Sequence, residues 1–262
     1  MKKAISRIYI ALIVIFLYMP IAALMVLSFN KSKSMSVWTG FTFDWYREML
    51  SDRLIVNAIV NTLSIAFISA AVATVIGTMA CIGMQRMRAG TQEVLLGFNN
   101  IPMLNADIVT GLSLMLAFLA FGISLGYKTI LFAHITFEIP YAILSVRPRI
   151  NRHTDTLYEA ALDLGASRSY AFRKVVMPEL RPGIMSGFLL AFTMSVDDFI
   201  ITYFTRGAGI NTISTRIYSE VKVGIRPSLF ALSTVIFLTA LIVLLIANRN
   251  KLDDKEGWND AY

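Results

Sequence analysis

Two adjacent acids lie inside a long apolar run near the end of the sequence. Asp197 and Asp198 fall within residues 183–204, where a charged side chain costs on the order of 2.5–3.5 kcal/mol on membrane-insertion scales. Neighbouring side chains on a helix point about 100° apart, so the two acids should occupy different faces. Helical spacing gives Asp198 a half-polar stripe that includes Ser195 and Thr202, whereas the stripe of Asp197 is largely apolar. We therefore predict that Asp198 faces a pore and that Asp197 is buried, hydrogen-bonded or at a subunit contact.

Two further acids lie in other apolar runs. Asp107 shares a helical face with polar residues, and its run contains Pro102, which leaves backbone groups without their usual helical partners. Glu138 follows His134 by one helical turn. A hydrogen bond to His134 and a role in transport both explain Glu138, and the sequence leaves both open. No lysine or arginine falls in the middle of these runs, so the acids suit a positively charged passenger.

Aromatic residues near the paired acids could assist such a passenger. A cation over a tyrosine or phenylalanine ring gains about 0.5–2 kcal/mol, and Tyr203, Phe199 and Tyr218 are candidates. The residues that we predict along a substrate pathway are Asp198, Asp197, Asp107, Glu138, Ser195, Thr202 and Tyr203.

The composition indicates a membrane protein. Of the 262 residues, 56% are hydrophobic and 16% are charged, against roughly 25% charged in soluble domains. Six runs approach the roughly 20 residues that a bilayer requires, at about 8–27, 57–84, 94–121, 128–146, 183–204 and 227–248. The first run exceeds the roughly 7–15 residues of a signal-peptide core and no small-residue cleavage site follows, so we read it as an uncleaved helix. We predict an all-α membrane protein with six transmembrane helices in a single transmembrane domain, residues 1–262.

The basic residues predict the orientation of the chain. Fifteen of the 24 lysines and arginines fall on the side of the amino terminus, which the positive-inside rule assigns to the cytoplasm. Both termini, the loop 147–182 and the tail 249–262 then lie in the cytoplasm. The loops 29–56 and 205–226 lie outside, and we interpret the aromatic residues of the first as an interfacial belt rather than a ligand site.

Other function classes have little support in the sequence. The net charge of +7 is explained by the cytoplasmic loops, so it does not indicate nucleic-acid binding. Cys81 has no second cysteine with which to form an intrachain disulfide. Two histidines and one cysteine, far apart, argue against a metal site, and no catalytic set of nucleophile, histidine and acid occurs.

The loop 147–182 contains its own helix signals. Thr156 and Glu159 have the spacing of a capping box, Gly165 is placed for a left-handed helix end, and Ser167 can begin a second helix that Pro178 would close. The first helix has an apolar stripe formed by Leu157, Ala160, Ala161 and Leu164. Two short helices with an apolar face and basic surroundings suit docking to another protein.

One motif in this loop resembles a known family. It reads Glu159-Ala160-Ala161, three residues, Gly165, nine residues, Val175, one residue, and Met177-Pro178. This resembles the EAA loop of ABC-importer permease subunits, with Val175 and Met177 in place of the family's usual isoleucine and leucine. The segments 195–199 and 217–224 look like those of the C-type permeases of spermidine/putrescine importers.

The resemblance implies a type I ABC-importer permease fold in the bacterial cytoplasmic (inner) membrane. Such a subunit forms half of a channel, and a second, homologous permease chain forms the other half. Two copies of a cytoplasmic ATPase and an extracytoplasmic polyamine-binding protein complete the transporter. The residues that it assigns to ATPase coupling are Glu159, Ala160, Ala161, Leu164, Gly165, Val175 and Pro178. No phosphate-binding G-x-x-x-x-G-K-[ST] sequence occurs. We therefore expect a non-catalytic subunit without a cofactor, with ATP and Mg²⁺ on the ATPase.

Three alternatives stay open at this point. The same architecture could import another small solute, such as an amino acid, iron or another cation. An ion-driven secondary transporter or channel would also be helical and apolar. A membrane enzyme is the weakest alternative, because His134 and Glu138 form an isolated pair.

Overall fold

All regular elements that the structure describes are helices. The computed structural model describes residues 2–34, 36–150, 152–239 and 241, and its strand-like feature in these ranges is one isolated bridge between Asn30 and Phe41. The helices are α1 (Lys2–Ser28), α2 (Asp44–Ser51), α3 (Arg53–Gln85), α4 (Ala89–Leu104), α5 (Asp107–Ala120), α6 (Tyr127–Val146), α7 (Arg152–Asp163), α8 (Arg168–Ala171), α9 (Met177–Asp197), α10 (Ile200–Thr205), α11 (Ile213–Val223) and α12 (Pro227–Thr239). The predicted all-α membrane class is confirmed.

Several of these helices are long and apolar enough to cross a bilayer. The described residues contain four such spans, and α4 with α5 forms a bent pair that could make a fifth. The four spans are Ser6–Ser28, Arg53–Gln85, Tyr127–Arg149 and Arg168–Asp197. The predicted sixth run, 227–248, is helical in α12, and its last residues lie outside the described part, as does the tail 249–262. The count of six spans therefore stays a prediction.

The third apolar run, 94–121, is not the single helix that we predicted. Its two halves, α4 and α5, meet at an angle of 103°. Asn105 and Ala106 between them have extended backbones. Pro102 removes a backbone donor from the last turn of α4, and Asp107 begins α5, where a negative charge complements the helix dipole. These residues explain why the chain turns at this point.

The fifth apolar run also differs from the predicted span 183–204. One continuous helix begins at Arg168 and ends at Asp197. Pro178, which we expected to close a short helix, lies instead in the first turn of α9. The preceding segment, Phe172–Val176, is a wide π-helical turn, in which the N–H of Met177 donates to a carbonyl five residues earlier. Such a turn gives the proline ring room, so the helix continues through it.

The capping box predicted for the cytoplasmic loop is also wrong. Helix α7 begins at Arg152, so Thr156 and Glu159 lie inside it rather than at its first turn. An acid, Asp155, occupies the first turn, where it complements the helix dipole. The first-turn signal therefore comes from a residue before the predicted cap.

The chain divides into two compact units, formed by residues 1–56 with 217–262 and by residues 57–216. In the first unit, the loop after α1 packs on its own aromatic residues. The rings of Phe29 and Phe41 stack at 5.0 Å, and the indole of Trp45 donates a 2.6 Å hydrogen bond to the carbonyl of Asn30. The position of these rings at a membrane interface stays a prediction.

In the second unit, small residues bring α3, α6 and α9 together at Ala142. A methyl group on Gly77 of α3 would lie 2.8 Å from the Cβ of Ala142, and one on Gly187 of α9 would lie 3.4 Å from its Cα. Glycine and alanine allow this close approach of helix backbones in membrane proteins. This packing fixes the polar side chains of α6 against α9.

Candidate functional site

The fifth apolar helix ends at the pair of acids. Asp198 has an extended backbone (φ −62°, ψ 129°), and the short helix α10 follows it. Its carboxylate accepts hydrogen bonds from the backbone N–H of Ile201 (3.1 Å) and of Thr202 (2.7 Å), and from the hydroxyl of Thr202 (2.8 Å). These donors are free at the start of a helix, so Asp198 caps α10. The Asp198 carboxylate thus lies at the break in the helix and accepts hydrogen bonds from the backbone N–H groups that the break leaves free.

His134 of α6 contacts this capped carboxylate. Its Nε2 atom lies 2.9 Å from the hydroxyl of Thr202 and 3.4 Å from Oδ2 of Asp198. Its Nδ1 atom lies 2.6 Å from the hydroxyl of Ser195. The histidine side chain is buried, so these contacts join α6 to both sides of the helix break.

Glu138, one turn further along α6, is completely buried. Its Oε1 accepts a 2.8 Å hydrogen bond from the hydroxyl of Ser69 in α3 and lies 3.7 Å from Nδ1 of His134. The direct hydrogen bond that we considered between His134 and Glu138 is not formed, because 3.7 Å exceeds hydrogen-bonding distance. Among the described residues, Oε2 of Glu138 has no hydrogen-bond partner. A transport role for Glu138 stays a prediction.

Three carboxylates line one cavity of about 290 Å³. Asp107 at the start of α5 faces this space together with Asp197 and Asp198 from the helix break. The remaining lining is aromatic and aliphatic, from Phe137, Tyr141, Met194, Phe199, Ile200 and Ile201. Among the described residues, no lysine or arginine lines the cavity. Carboxylates next to ring faces favour a cation.

Asp197 is not buried within this chain, which was one of the roles predicted for it, whereas its predicted subunit contact and the pore-facing position of Asp198 stay predictions. Asp197 is exposed, whereas the side chain of Asp198 is only 7% exposed and is engaged by α10 and His134. The helical stripe that favoured Asp198 assumes a helix that continues beyond it, and α9 ends before it. Which acid contacts a passenger stays untested, but the more accessible carboxylate is that of Asp197.

The other predicted pathway residues lie away from the cavity lining. Ser195 and Thr202 are buried in the contacts around His134. Tyr203 lies on α10, with its ring 5.4 Å from that of Phe199 and 5.4 Å from the guanidinium of Arg206. Ser69 was not predicted, although it follows the buried Thr62 by seven residues in α3, a helical spacing that could have identified it.

The coupling segment forms an exposed ridge. Leu164 at the end of α7 is 89% exposed, and Glu159 and Ala160 are exposed as well. Gly165 has φ +84°, as predicted for a left-handed helix end. Its N–H donates to the carbonyl of Leu162 (2.9 Å), and the next residue donates to that of Ala161 (3.0 Å), which is a Schellman motif.

The second half of this segment begins as predicted at Ser167, whose hydroxyl accepts from the N–H of Tyr170 at 3.4 Å. Val175 is half-buried in the π-helical turn, and Pro178 is exposed in α9. A hydrogen bond between Gln85 of α3 and Asp155 of α7 anchors the hairpin. The structure therefore presents most of the motif residues outward on a supported helix.

Carboxylates that line a cavity at a helix break suit a membrane protein that conducts a cation. Residues 94–251 match the family of binding-protein-dependent transport system inner membrane components, and the chain belongs to this family. It is thus a multi-pass permease subunit of an ABC importer, as the EAA-like motif predicted.

Two relatives of this chain are named as permease proteins of polyamine transport systems. The chain is 35% identical over 232 residues to the spermidine/putrescine transport system permease protein PotC of Haemophilus influenzae, covering 88% of this chain and 90% of that protein. It is 37% identical over 241 residues to the putrescine transport system permease protein PotI of Escherichia coli, covering 88% and 85%. The resemblance to C-type permeases is confirmed.

Solved structures show the same fold. A chain of a bacterial ABC transporter involved in the import of the acidic polysaccharide alginate superimposes with a TM-score of 0.69, at 18% identity, covering 94% of this chain and 93% of that one. A chain of the MetNI methionine ABC transporter superimposes with a TM-score of 0.59, at 17% identity, covering 75% and 94%. These neighbours confirm the importer-permease fold.

Proposed function

We propose that this chain forms half of a translocation pathway for polyamines such as spermidine and putrescine. The observation that carries the proposal is the cavity in which Asp107, Asp197 and Asp198 lie beside Tyr141 and Phe199. A polyamine has ammonium groups separated by methylene segments, so it matches carboxylates separated by ring and aliphatic surface. The polyamine systems named for PotC and PotI support the same cargo.

The cavity suits transient contact with a cation in passage. Asp107 and Asp197 are exposed, so water competes with the passenger for both carboxylates. A permease that bound its passenger tightly would retain it. We therefore place high affinity in a separate extracytoplasmic polyamine-binding protein and weak, stepwise contact in this chain.

The chain works with partners that supply energy and substrate. We propose a second, homologous permease chain, two copies of a cytoplasmic ATPase and the binding protein, with lipid around the apolar helices and no nucleic acid. ATP and Mg²⁺ bind the ATPase, and this chain holds no cofactor. The exposed ridge at Glu159, Ala160 and Leu164 fits a cleft on that ATPase.

One continuous helix can connect the ATPase to the cavity. The 30-residue helix from Arg168 to Asp197 begins beside the coupling hairpin and ends at the acids, a distance of about 45 Å. Closure of the ATPase would move α7 and this helix together and open the cavity outward. Hydrolysis would reverse the movement. In this scheme both termini and α7 are cytoplasmic, and Asp197 lies toward the outer side.

Uptake by a reconstituted complex tests the proposal. The chain is purified with its co-purifying permease and ATPase, identified by mass spectrometry, and placed in liposomes with the binding protein. We expect ATP-dependent uptake of labelled spermidine that putrescine competes with, and no uptake of sulfate. Uptake of an amino acid or sulfate in place of spermidine would overturn the proposal that the cargo is a polyamine. Uptake driven by an ion gradient without ATP would instead identify a secondary transporter.

A further inference from the structure

A buried polar network lies directly behind the acidic cavity. It joins α3, α6, α9 and α10 within one compact unit, and its members are at most 7% exposed. These members are Ser69, His134, Glu138, Ser195, Asp198 and Thr202. Asp198 is the member that also lines the cavity. Buried polar groups are costly unless they are paired, so a network of this size at a helix break indicates a role.

The hydroxyl protons give this network a direction. Thr202 donates its hydroxyl proton to Asp198, so the 2.9 Å contact with His134 requires Nε2 of the ring to be the donor. Ser69 donates to Glu138, so Ser195 must supply the proton of the 3.3 Å contact between the two serines. The 2.6 Å contact between Ser195 and His134 then requires Nδ1 to donate as well. With both ring nitrogens donating, each hydrogen bond of His134 has one donor and one acceptor.

The two arms of His134 therefore end at different places. The Nδ1 arm runs through Ser195 and Ser69 to Glu138, inside the helix bundle. The Nε2 arm runs through Thr202 to Asp198, at the break between α9 and α10. Because Asp197 immediately precedes Asp198, the anchored carboxylate also fixes the direction of its exposed neighbour.

We propose that His134 is a positioning residue for transport. Through its Nε2 arm it holds Asp198 and the start of α10, so that Asp197 stays directed into the cavity. This inference deepens the proposed polyamine pathway and rests on it for the identity of the passenger. Loss of the Nε2 arm of His134 then changes the direction of Asp197 in the cavity without altering the coupling ridge on α7.

Two substitutions of similar chemistry separate the arms. Glutamine places its amide near the position of Nε2, whereas asparagine places its amide near that of Nδ1. We expect His134→Gln to keep the ratio of spermidine transported to ATP hydrolysed within about twofold of the native complex. We expect His134→Asn to lower this ratio about tenfold, because Thr202 and Asp198 lose a buried partner. ATP hydrolysis should continue in both variants.

Controls distinguish this role from general support of the fold. Thr78→Val changes a buried hydroxyl of α3 outside the network and should leave the ratio unchanged. Thr202→Val removes the hydroxyl between His134 and Asp198, so it should lower the ratio of transport to hydrolysis as His134→Asn does. This variant replaces His134→Asn in the test if the asparagine variant assembles poorly. Equal ratios for the glutamine and asparagine variants would overturn the proposal.

Thiol labelling tests the position of Asp197 without transport. In a Cys81→Ala background, which removes the chain's own cysteine, Asp197→Cys is treated with a cationic methanethiosulfonate reagent. We expect His134→Gln to preserve the labelling rate and His134→Asn to change it about tenfold. Equal rates would refute the positioning role even if spermidine is the passenger. Absence of spermidine uptake by the native complex would refute the proposed cargo and leave the labelling result intact.

Discussion

Asp198 accepts a 2.7 Å hydrogen bond from the backbone N–H of Thr202, and this bond lies at the boundary between the fifth apolar helix and α10. A carboxylate that would be costly in a continuous membrane helix is here paired with the free N–H groups of a new helix start. Its neighbour Asp197 is the last residue of α9 and is exposed. The two adjacent acids therefore lie in different environments, one hydrogen-bonded to α10 and the other accessible to water.

Asp197→Asn is expected to reduce spermidine uptake about tenfold or more, because it removes an accessible charge that attracts the ammonium groups. The side chain is exposed, so the yield and thermal stability of the complex should stay close to native. Uptake and ATP hydrolysis in proteoliposomes, with size-exclusion chromatography of the complex, measure both. Native uptake by this variant would remove Asp197 from the pathway.

Asp198→Asn is expected to act first on stability. An amide has one acceptor oxygen where the carboxylate has two, so one of the bonds to Ile201 or Thr202 is weakened. Weakening a helix cap costs about 0.5–2 kcal/mol, which should appear as a lower thermal midpoint of the purified complex. A native midpoint combined with lost uptake would instead indicate direct contact between Asp198 and the passenger.

Tyr141→Leu should weaken transport, whereas Tyr141→Phe should leave it nearly unchanged. The ring of Tyr141 lines the cavity that holds the three acids, and a cation over a ring gains about 0.5–2 kcal/mol. Phenylalanine keeps the ring face and leucine removes it. Concentration-dependent uptake of spermidine measures the difference, and equal loss in both variants would assign the effect to the hydroxyl.

Gly77→Ala should destabilise the complex, because the new methyl group would lie 2.8 Å from the Cβ of Ala142 in α6. Overpacking of this kind costs about 1–3 kcal/mol. Gly83→Ala on the same helix is the matched control, since no heavy atom lies within 4 Å of its new methyl group. Thermal unfolding of the two variants should differ by several degrees, and equal midpoints would contradict close packing at Ala142.

Leu164→Asp is expected to abolish co-purification of the ATPase while the permease chain stays folded. Leu164 is 89% exposed, so the change costs little within this chain but places a charge at the proposed contact. Leu50→Asp provides the control, because Leu50 is also exposed but lies on α2, outside the coupling segment. Affinity purification from native membranes measures the retained ATPase. Retention by Leu164→Asp would remove this ridge from the interface.

Local features of the sequence were enough to predict the class of this protein. Apolar runs of membrane length, an excess of basic residues on one side and the motif from Glu159 to Pro178 are local properties that can be read along the chain. The left-handed end at Gly165 was also predictable, since it depends on one residue's backbone freedom. The acids Asp107, Asp197 and Asp198 were identified because charge in an apolar run is rare.

The environments of those acids depend on contacts between distant parts of the chain. Helical spacing assumes that a helix continues, and it failed where Asp198 caps α10 and where α4 turns into α5. Nor could spacing show that Ser69 of α3 pairs with Glu138 of α6, because that contact depends on how distant helices pack. Hydrophobicity is a property of each segment, whereas satisfaction of a buried charge depends on partners elsewhere in the chain. The hydrophobic runs could therefore be read from the sequence, whereas the partners of the buried charges could be identified only from the fold.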